Sequence, residues 1–283
     1  MILPSRSELE TRLARVGHPV DAWIGRGAHG VVARSRASAL KVGRAPDLEA
    51  EWRAGQALCS RGLLTAKERI ELGEEFAALR FEYFAGEAID RALRPPAPKA
   101  DVQRNLPMAF GYVMAPLGRS SYVHCGEVAE SRLRRLLDPL ATSLHGVHQA
   151  GWVHLDVAPD NVLVNGHDLR LADFGLARPL GNTLPDLAVG SAAYLAPELA
   201  TRAPTAAADW YSLGVLVFLL LTGGLPFEGG GPEALVRKQS VSAPRVREYC
   251  PEVSADLDEL VAGLLRRNEH TRFGAAQVLA LGA

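Results

Sequence analysis

The period of the apolar residues changes about a third of the way along the chain, and that change limits the fold more than any other feature. Residues 20–42, VDAWIGRGAHGVVARSRASALKV, hold β-rich runs broken by glycines, which predicts three strands near 20–25, 30–34 and 38–42. RIEL at 69–72 and FAALRFEYF at 76–84 suit a hairpin. Beyond residue 127 the spacing becomes helical, with Leu133, Leu136, Leu137, Leu140, Leu144 and Val147 on one face. Pro139 falls inside this pattern, so the helix either kinks or restarts there. Two more helices are expected at 209–221 and 254–266, the second capped by Ser254. A strand-rich first third followed by a helical remainder predicts an α+β protein in two lobes.

Smaller elements fill the gaps. Ser5 and Glu8 have capping-box spacing at the head of a lead helix over 5–16. Residues 47–58 read as a helix weakened by Gly55. Four prolines between 94 and 107 predict a loop, and FGYVMAP at 110–116 predicts a strand. Short strands at 152–154, 161–164 and 169–172 surround a loop at 155–160.

Charge and composition exclude several function classes. Lys+Arg is 31 against Asp+Glu 32, a balance that gives no reason to expect nucleic-acid or anionic-membrane binding. The longest apolar run, 213–221, falls short of the roughly 20 residues that span a bilayer, and the N-terminus lacks the apolar core of a signal peptide. Cys59, Cys125 and Cys250 are odd in number and far apart, which supports neither a disulfide framework nor a zinc site. A cytoplasmic location is expected. Lysine is scarce: only Lys41, Lys67, Lys99 and Lys238 occur, so any chemistry that needs a lysine has few sources.

Five short motifs carry chemistry. Gly25-x-Gly27-x-x-Gly30-x-Val32 is a loop whose backbone N–H groups can approach phosphates closely. Ala39-Leu40-Lys41 ends a predicted strand and can aim a fixed positive charge at a nucleotide. In His154-Leu155-Asp156-Val157-Ala158-Pro159-Asp160-Asn161, the Asp and Asn five residues apart can meet over one site, the Asp to accept a proton from a hydroxyl and the Asn oxygen to hold Mg²⁺. Asp173-Phe174-Gly175 supplies a second carboxylate for the metal. Last come Gly190-Ser191-Ala192-Ala193-Tyr194-Leu195-Ala196-Pro197-Glu198 and Asp209-Trp210-Tyr211-Ser212-Leu213-Gly214.

In this order and at these intervals, the motifs closely resemble the eukaryotic-type protein kinase catalytic domain, over about residues 20–280. The abundance of Ala and Arg beside so few lysines suggests a bacterial member. The resemblance implies Mg²⁺- and ATP-dependent phosphoryl transfer to a protein Ser/Thr hydroxyl, with Mn²⁺ able to substitute. Gly25, Gly27, Gly30, Val32 and Ala39 would surround the nucleotide. Lys41 would contact its phosphates, with Glu51, or next Glu49, as the helix partner. Asp156 would be the catalytic aspartate, and Asn161 and Asp173 the metal ligands. Glu198 and Arg272 would form a structural ion pair, and Asp209 would brace the catalytic loop. Ser191 in place of the family's usual threonine favours Ser/Thr over Tyr.

Three departures from the family pattern bear on activity. Leu155 replaces the arginine that meets a phosphorylated activation loop, so activity is expected not to need a phosphate on Thr183. Ala158 replaces the catalytic-loop lysine. Losing one preorganised donor costs ~2.7–4 kcal/mol of transition-state stabilisation, so either another cation such as Arg178 compensates or catalysis is slow. A pseudokinase that acts as a nucleotide-binding interaction module is the alternative, with a small-molecule phosphotransferase behind it. Finally, the stretch between Glu51 and Asp156 is long, and two segments compete to bind adenine: 81–86 (FEYFAG) and 112–118, which contains Met114, Ala115 and Leu117. The second is preferred. It divides the chain into an extension at 1–17, a first lobe at 18–117 with an insertion at 85–111, and a second lobe at 118–283. The resemblance leaves the substrate protein and the oligomeric state open. His145 and His148 read as surface or core-edge histidines, and Arg132, Arg134 and Arg135 as a solvated face.

Overall fold

The computed structural model describes residues 3–27, 30–60, 62–93, 127–181, 192–227 and 232–281. Its first lobe is a five-stranded antiparallel sheet in the order β1-β2-β3-β5-β4, from β1 (Ala22–Gly27), β2 (Gly30–Ser35), β3 (Ser38–Arg44), β4 (Glu68–Glu71) and β5 (Phe76–Glu82). Val32 sits opposite Lys41, and Lys41 opposite Leu79. Because strand side chains alternate, Ala39, Lys41, Leu79 and Phe81 share one face. Helix α2 (Ala45–Ala57) begins immediately after β3 and covers that face, with Leu48 packed among Ala77, Leu79 and Phe81.

The other face of the sheet is covered as well. Helix α1 (Arg6–Arg15) is capped by the Ser5 hydroxyl, which accepts from Glu8 N. It buries Leu9 and Leu13 against Val31, Leu40, Val42, Ile70 and Phe76. Arg12 then ties the helix to the sheet by donating to Leu72 O. The lead segment is therefore part of the lobe rather than an extension outside it.

The chain leaves the sheet at Glu82, and within four residues β6 (Glu87–Ala88) pairs with β8 (Val162–Asn165) of the second lobe. Helix α3 (Ile89–Ala92) follows, with Ile89 in the second lobe's core. The start of the 85–111 segment, expected in the first lobe, thus packs on the second; the boundary expected at 117 lies outside the described residues. Residues 110–116, with Met114 and Ala115, and Leu117 beyond them, lie outside the described residues.

The second lobe is helical. Helix α4 (Glu127–Gln149) runs as one element through Pro139. Strands β7 (Trp152–Val153), β8, β9 (Asp168–Leu171) and β10 (Arg178–Pro179) frame the loops above it. Helix α5 (Ala206–Thr222) is buried on nearly every side from Ala208 to Phe218, as expected of a helix apolar all round. A Cβ at Gly214 would stand 2.8 Å from Leu264 Cβ, so glycine lets α7 (Ala255–Leu264) approach it closely. Helices α6 (Pro232–Ser240) and α8 (Ala275–Leu281) complete the lobe.

Candidate active site between the lobes

Lys41 is 6% exposed and anchors the site. Its Nζ lies 2.7 Å from Glu51 Oε2 on α2 and 2.9 Å from Asp173 Oδ1 in the second lobe. Glu51 is the partner because α2 starts directly at the end of β3; Glu49 faces away and pairs with Arg53 and Arg69. Burial disfavours the Lys41 ammonium, but the two carboxylates outweigh it and raise its pKa. Burial pushes Glu51 up to about 6 against the pull of Lys41. Asp173 is held below the usual carboxylate range: burial opposes its charge, but Lys41 and the Gly175 N–H prevail.

The loop at 154–161 rests on one buried carboxylate. Asp209 of α5 accepts from His154 N and Leu155 N, each at 2.8 Å, and sits 2.7 Å from His148 Nε2. Burial would raise its pKa, yet His148 and the backbone donors bring it below the ordinary value. Leu155 has φ 66° and Asp173 φ 60°, a left-handed conformation that is uncommon for such residues and persists where surroundings enforce it. For Leu155, the bonds that Asp209 accepts from His154 N and Leu155 N supply that enforcement. His154 Nδ1 faces the Asp156 N–H at 3.2 Å and must accept there, so Nε2 carries the ring proton and donates to Ala172 O at 3.1 Å. The ring also stands edge-on to Phe174 with centroids 4.7 Å apart.

Asn161 closes the loop: its Nδ2 donates to Asp156 Oδ2 at 2.7 Å and to Asp156 O at 2.9 Å. The amide hydrogens are thereby committed inward, which leaves the Asn161 oxygen as the acceptor. With the Asp173 carboxylate this makes a hard, all-oxygen donor pair, which fits Mg²⁺ completed by phosphate and water ligands. Among the described residues no group of three or more His, Cys, Asp or Glu could hold a metal alone.

Gly27 pairs with Gly30 at the end of the β1–β2 ribbon, with Gly25 exposed one turn of the pleat earlier. A Cβ on Gly30 would lie 2.2 Å from Val42 O, so only glycine fits there. Val32 and Ala39 are partly exposed beside Lys41. Glu198 and Arg272 pair below the site, and Arg272 stacks over Tyr211 at 5.0 Å.

Several residues sit in places the sequence did not foretell. His148, expected at the surface or the core edge, is buried against Asp209, and Arg134 binds Glu130 and Asp256 rather than water alone. Leu155 is buried in the second lobe's core. Arg178 does not turn toward Asp156; it donates to Gly175 O and Ala177 O and lines a cavity of about 450 Å³ with Glu49, Arg53 and Trp152. The chain crosses between lobes at 83–86, within the first candidate segment; the second, 112–118, lies outside the described residues. Thr183 and Ser191 lie outside the described residues.

Residues 101–281 match the protein kinase domain family. The chain is 35% identical over 171 residues to the serine/threonine-protein kinase PknL of Mycobacterium tuberculosis, covering 58% of this chain and 42% of that protein. It is 36% identical over 173 residues to the serine/threonine-protein kinase AfsK of Streptomyces coelicolor, covering 58% and 22%. This chain therefore spans less than half the length of these relatives. A solved structure of titin kinase and its flanking domains superposes with a TM-score of 0.70 at 20% identity, over 96% of this chain and 47% of that one.

Proposed function

The chain belongs to the protein kinase family, and we propose that it transfers the γ-phosphoryl group of Mg·ATP to Ser/Thr hydroxyls of protein substrates in the cytoplasm. One observation carries the reading: Lys41 joins Glu51 of the first lobe to Asp173 of the second while Asp156 and Asn161 are already locked together. The charges that must be in place for phosphoryl transfer stand assembled at once.

The nucleotide would lie between the sheet face bearing Val32 and Ala39 and the loops of the second lobe, with adenine against 83–86. Gly25, Gly27 and Gly30 let the ribbon close over the phosphates, and Lys41, held by Glu51, presents its ammonium to them. Asn161 and Asp173 would hold Mg²⁺, which when bound neutralises charge on the phosphates. Asp156 Oδ2 accepts from Asn161 Nδ2; this carboxylate would orient the acceptor hydroxyl and take its proton as the new O–P bond forms and the bond from the γ-phosphorus to the ADP leaving oxygen breaks. His154 and Asp209 keep that carboxylate in place.

Ala158 supports a second reading, a nucleotide-binding module without transfer, because the catalytic loop carries no cation. Phosphate transfer from γ-labelled ATP·Mg²⁺ to a degenerate Ser/Thr/Tyr peptide mixture decides between them, with Asp156→Ala as the blank. Label on Ser/Thr above the blank is expected. Its absence, with ATP still bound, selects the module.

A further inference from the structure

Lys238 of α6 is 1% exposed, and among the described residues no carboxylate pairs with it. Burial lowers its pKa to about 7, because an ammonium is costly to keep out of water. All three donors of that ammonium are used. Nζ lies 3.0 Å from Ala192 O, 2.6 Å from Ala193 O and 3.0 Å from Leu195 O. The remaining carbonyl of the stretch, Tyr194 O, accepts from the Ser212 hydroxyl of α5 at 2.9 Å. Four successive carbonyls between 192 and 195 are thus drawn into the second lobe.

This segment is tied to the catalytic loop through α5. Asp209 holds the backbone of His154 and Leu155, and Ser212, less than a turn further on, holds Tyr194. The two therefore lie side by side on one helix, with Asp156 two residues from the Asp209 anchor. At the other end the segment runs into Pro197–Ala200, which Arg272 fixes through Glu198. From α6, Lys238 holds Ala192, Ala193 and Leu195, and its neighbour Gln239 donates to Pro197 O at 3.3 Å.

We propose that Lys238 is a positioning residue for the protein substrate: by gathering the Ala192, Ala193 and Leu195 carbonyls it shapes the wall beside Asp156 on which the acceptor polypeptide docks. This rests on the transferase reading above. The phosphate-binding side of the cleft, built on Lys41, Glu51 and Asp173, does not depend on it.

The test compares wild type, Lys238→Met and Lys238→Arg with the peptide that the wild type labels best from the degenerate mixture. Hydrogen bonds from a charged donor are lost in the methionine variant, so its peptide KM should rise about tenfold. Its ATP KM should stay unchanged, and arginine should restore part of the loss. Amide exchange at 192–195 should quicken in the methionine variant alone. A peptide KM that does not move, or one that moves only together with ATP KM and thermal stability, overturns the proposal. Should the wild type transfer no phosphate, the transferase reading fails on its own. Lys238 is then judged by equilibrium binding of the same fluorescent peptide mixture: weaker binding to Lys238→Met upholds its positioning role, and equal binding refutes it.

Discussion

At the scale of single residues, the site runs on buried charges that depend on one another. Glu51 titrates at about 6, inside the range of an ordinary assay. Above that value it is a carboxylate and balances Lys41; as pH falls through it, the proton it takes removes that balance, while Asp173 stays ionised. ATP affinity should weaken from pH 7 to pH 5 with a midpoint near 6, and titration calorimetry should find Glu51→Gln weaker throughout but flat over the same range. Ala158→Lys restores a cation beside Asp156 and should raise kcat by up to ~10²-fold with ATP KM unchanged; no gain would mean that some other cation already fills the role. Asp209→Ala leaves two backbone donors and His148 without their shared partner in the core. Its melting transition should fall by the equivalent of ~3–5 kcal/mol, measured by thermal or urea unfolding. Asp156 and Asn161 were legible in sequence because five residues of loop already bring them together. Lys238 and His148 were not, since a lysine in the short helix α6 and a histidine in the last turn of α4 acquire meaning only from what the 192–195 segment and α5 place against them.

At the scale of elements, α2 is seated by absence of side chain. A Cβ at Gly55 would stand 2.7 Å from Ala66 O, a backbone atom that cannot swing aside. Ala66 belongs to the stretch that joins the second lobe's β9 through Leu64 N to Leu171 O and Leu171 N to Gly62 O. The position that α2 takes, and with it Glu51, is set by that stretch. Alanine is worth ~0.8–1 kcal/mol over glycine in a free helix, yet here Gly55→Ala should lose ~1–3 kcal/mol to overpacking and weaken ATP binding as Glu51 is pushed from Lys41. Differential scanning calorimetry and ATP titration check the two halves. The sequence showed Gly55 only as a weak spot in a helix, because a helix's own pattern says nothing about how closely its neighbour must come. The strands of the first lobe were legible to within two residues, since their periods are local. The crossing between lobes was not, because it depends on the pairing of Glu87 and Ala88 with strands more than seventy residues away.

At the scale of the whole molecule, the first lobe is a sheet covered on both faces, by α2 inside and α1 outside. The sequence marked α1 through its cap but gave no sign of what it covers. Leu13 is fully buried, and Leu13→Ala should destabilise the protein by ~2–5 kcal/mol, read in urea unfolding, while kcat at a temperature well below the transition stays as in wild type. The second lobe has a different centre. Helix α5 packs against α7 and α4, holds the catalytic loop through Asp209 and the 192–195 segment through Ser212, and presents almost no surface to water. The structure thus has a gradient of permanence. The ribbon, α2 and the crossing border the cleft, whereas α5 is buried on nearly every side and can open only when the lobe as a whole comes apart. Its amides should keep their protons longest of any in the chain, with a protection free energy equal to that of global unfolding. The chemistry of the cleft is in this way referred to a fixed datum buried beneath it.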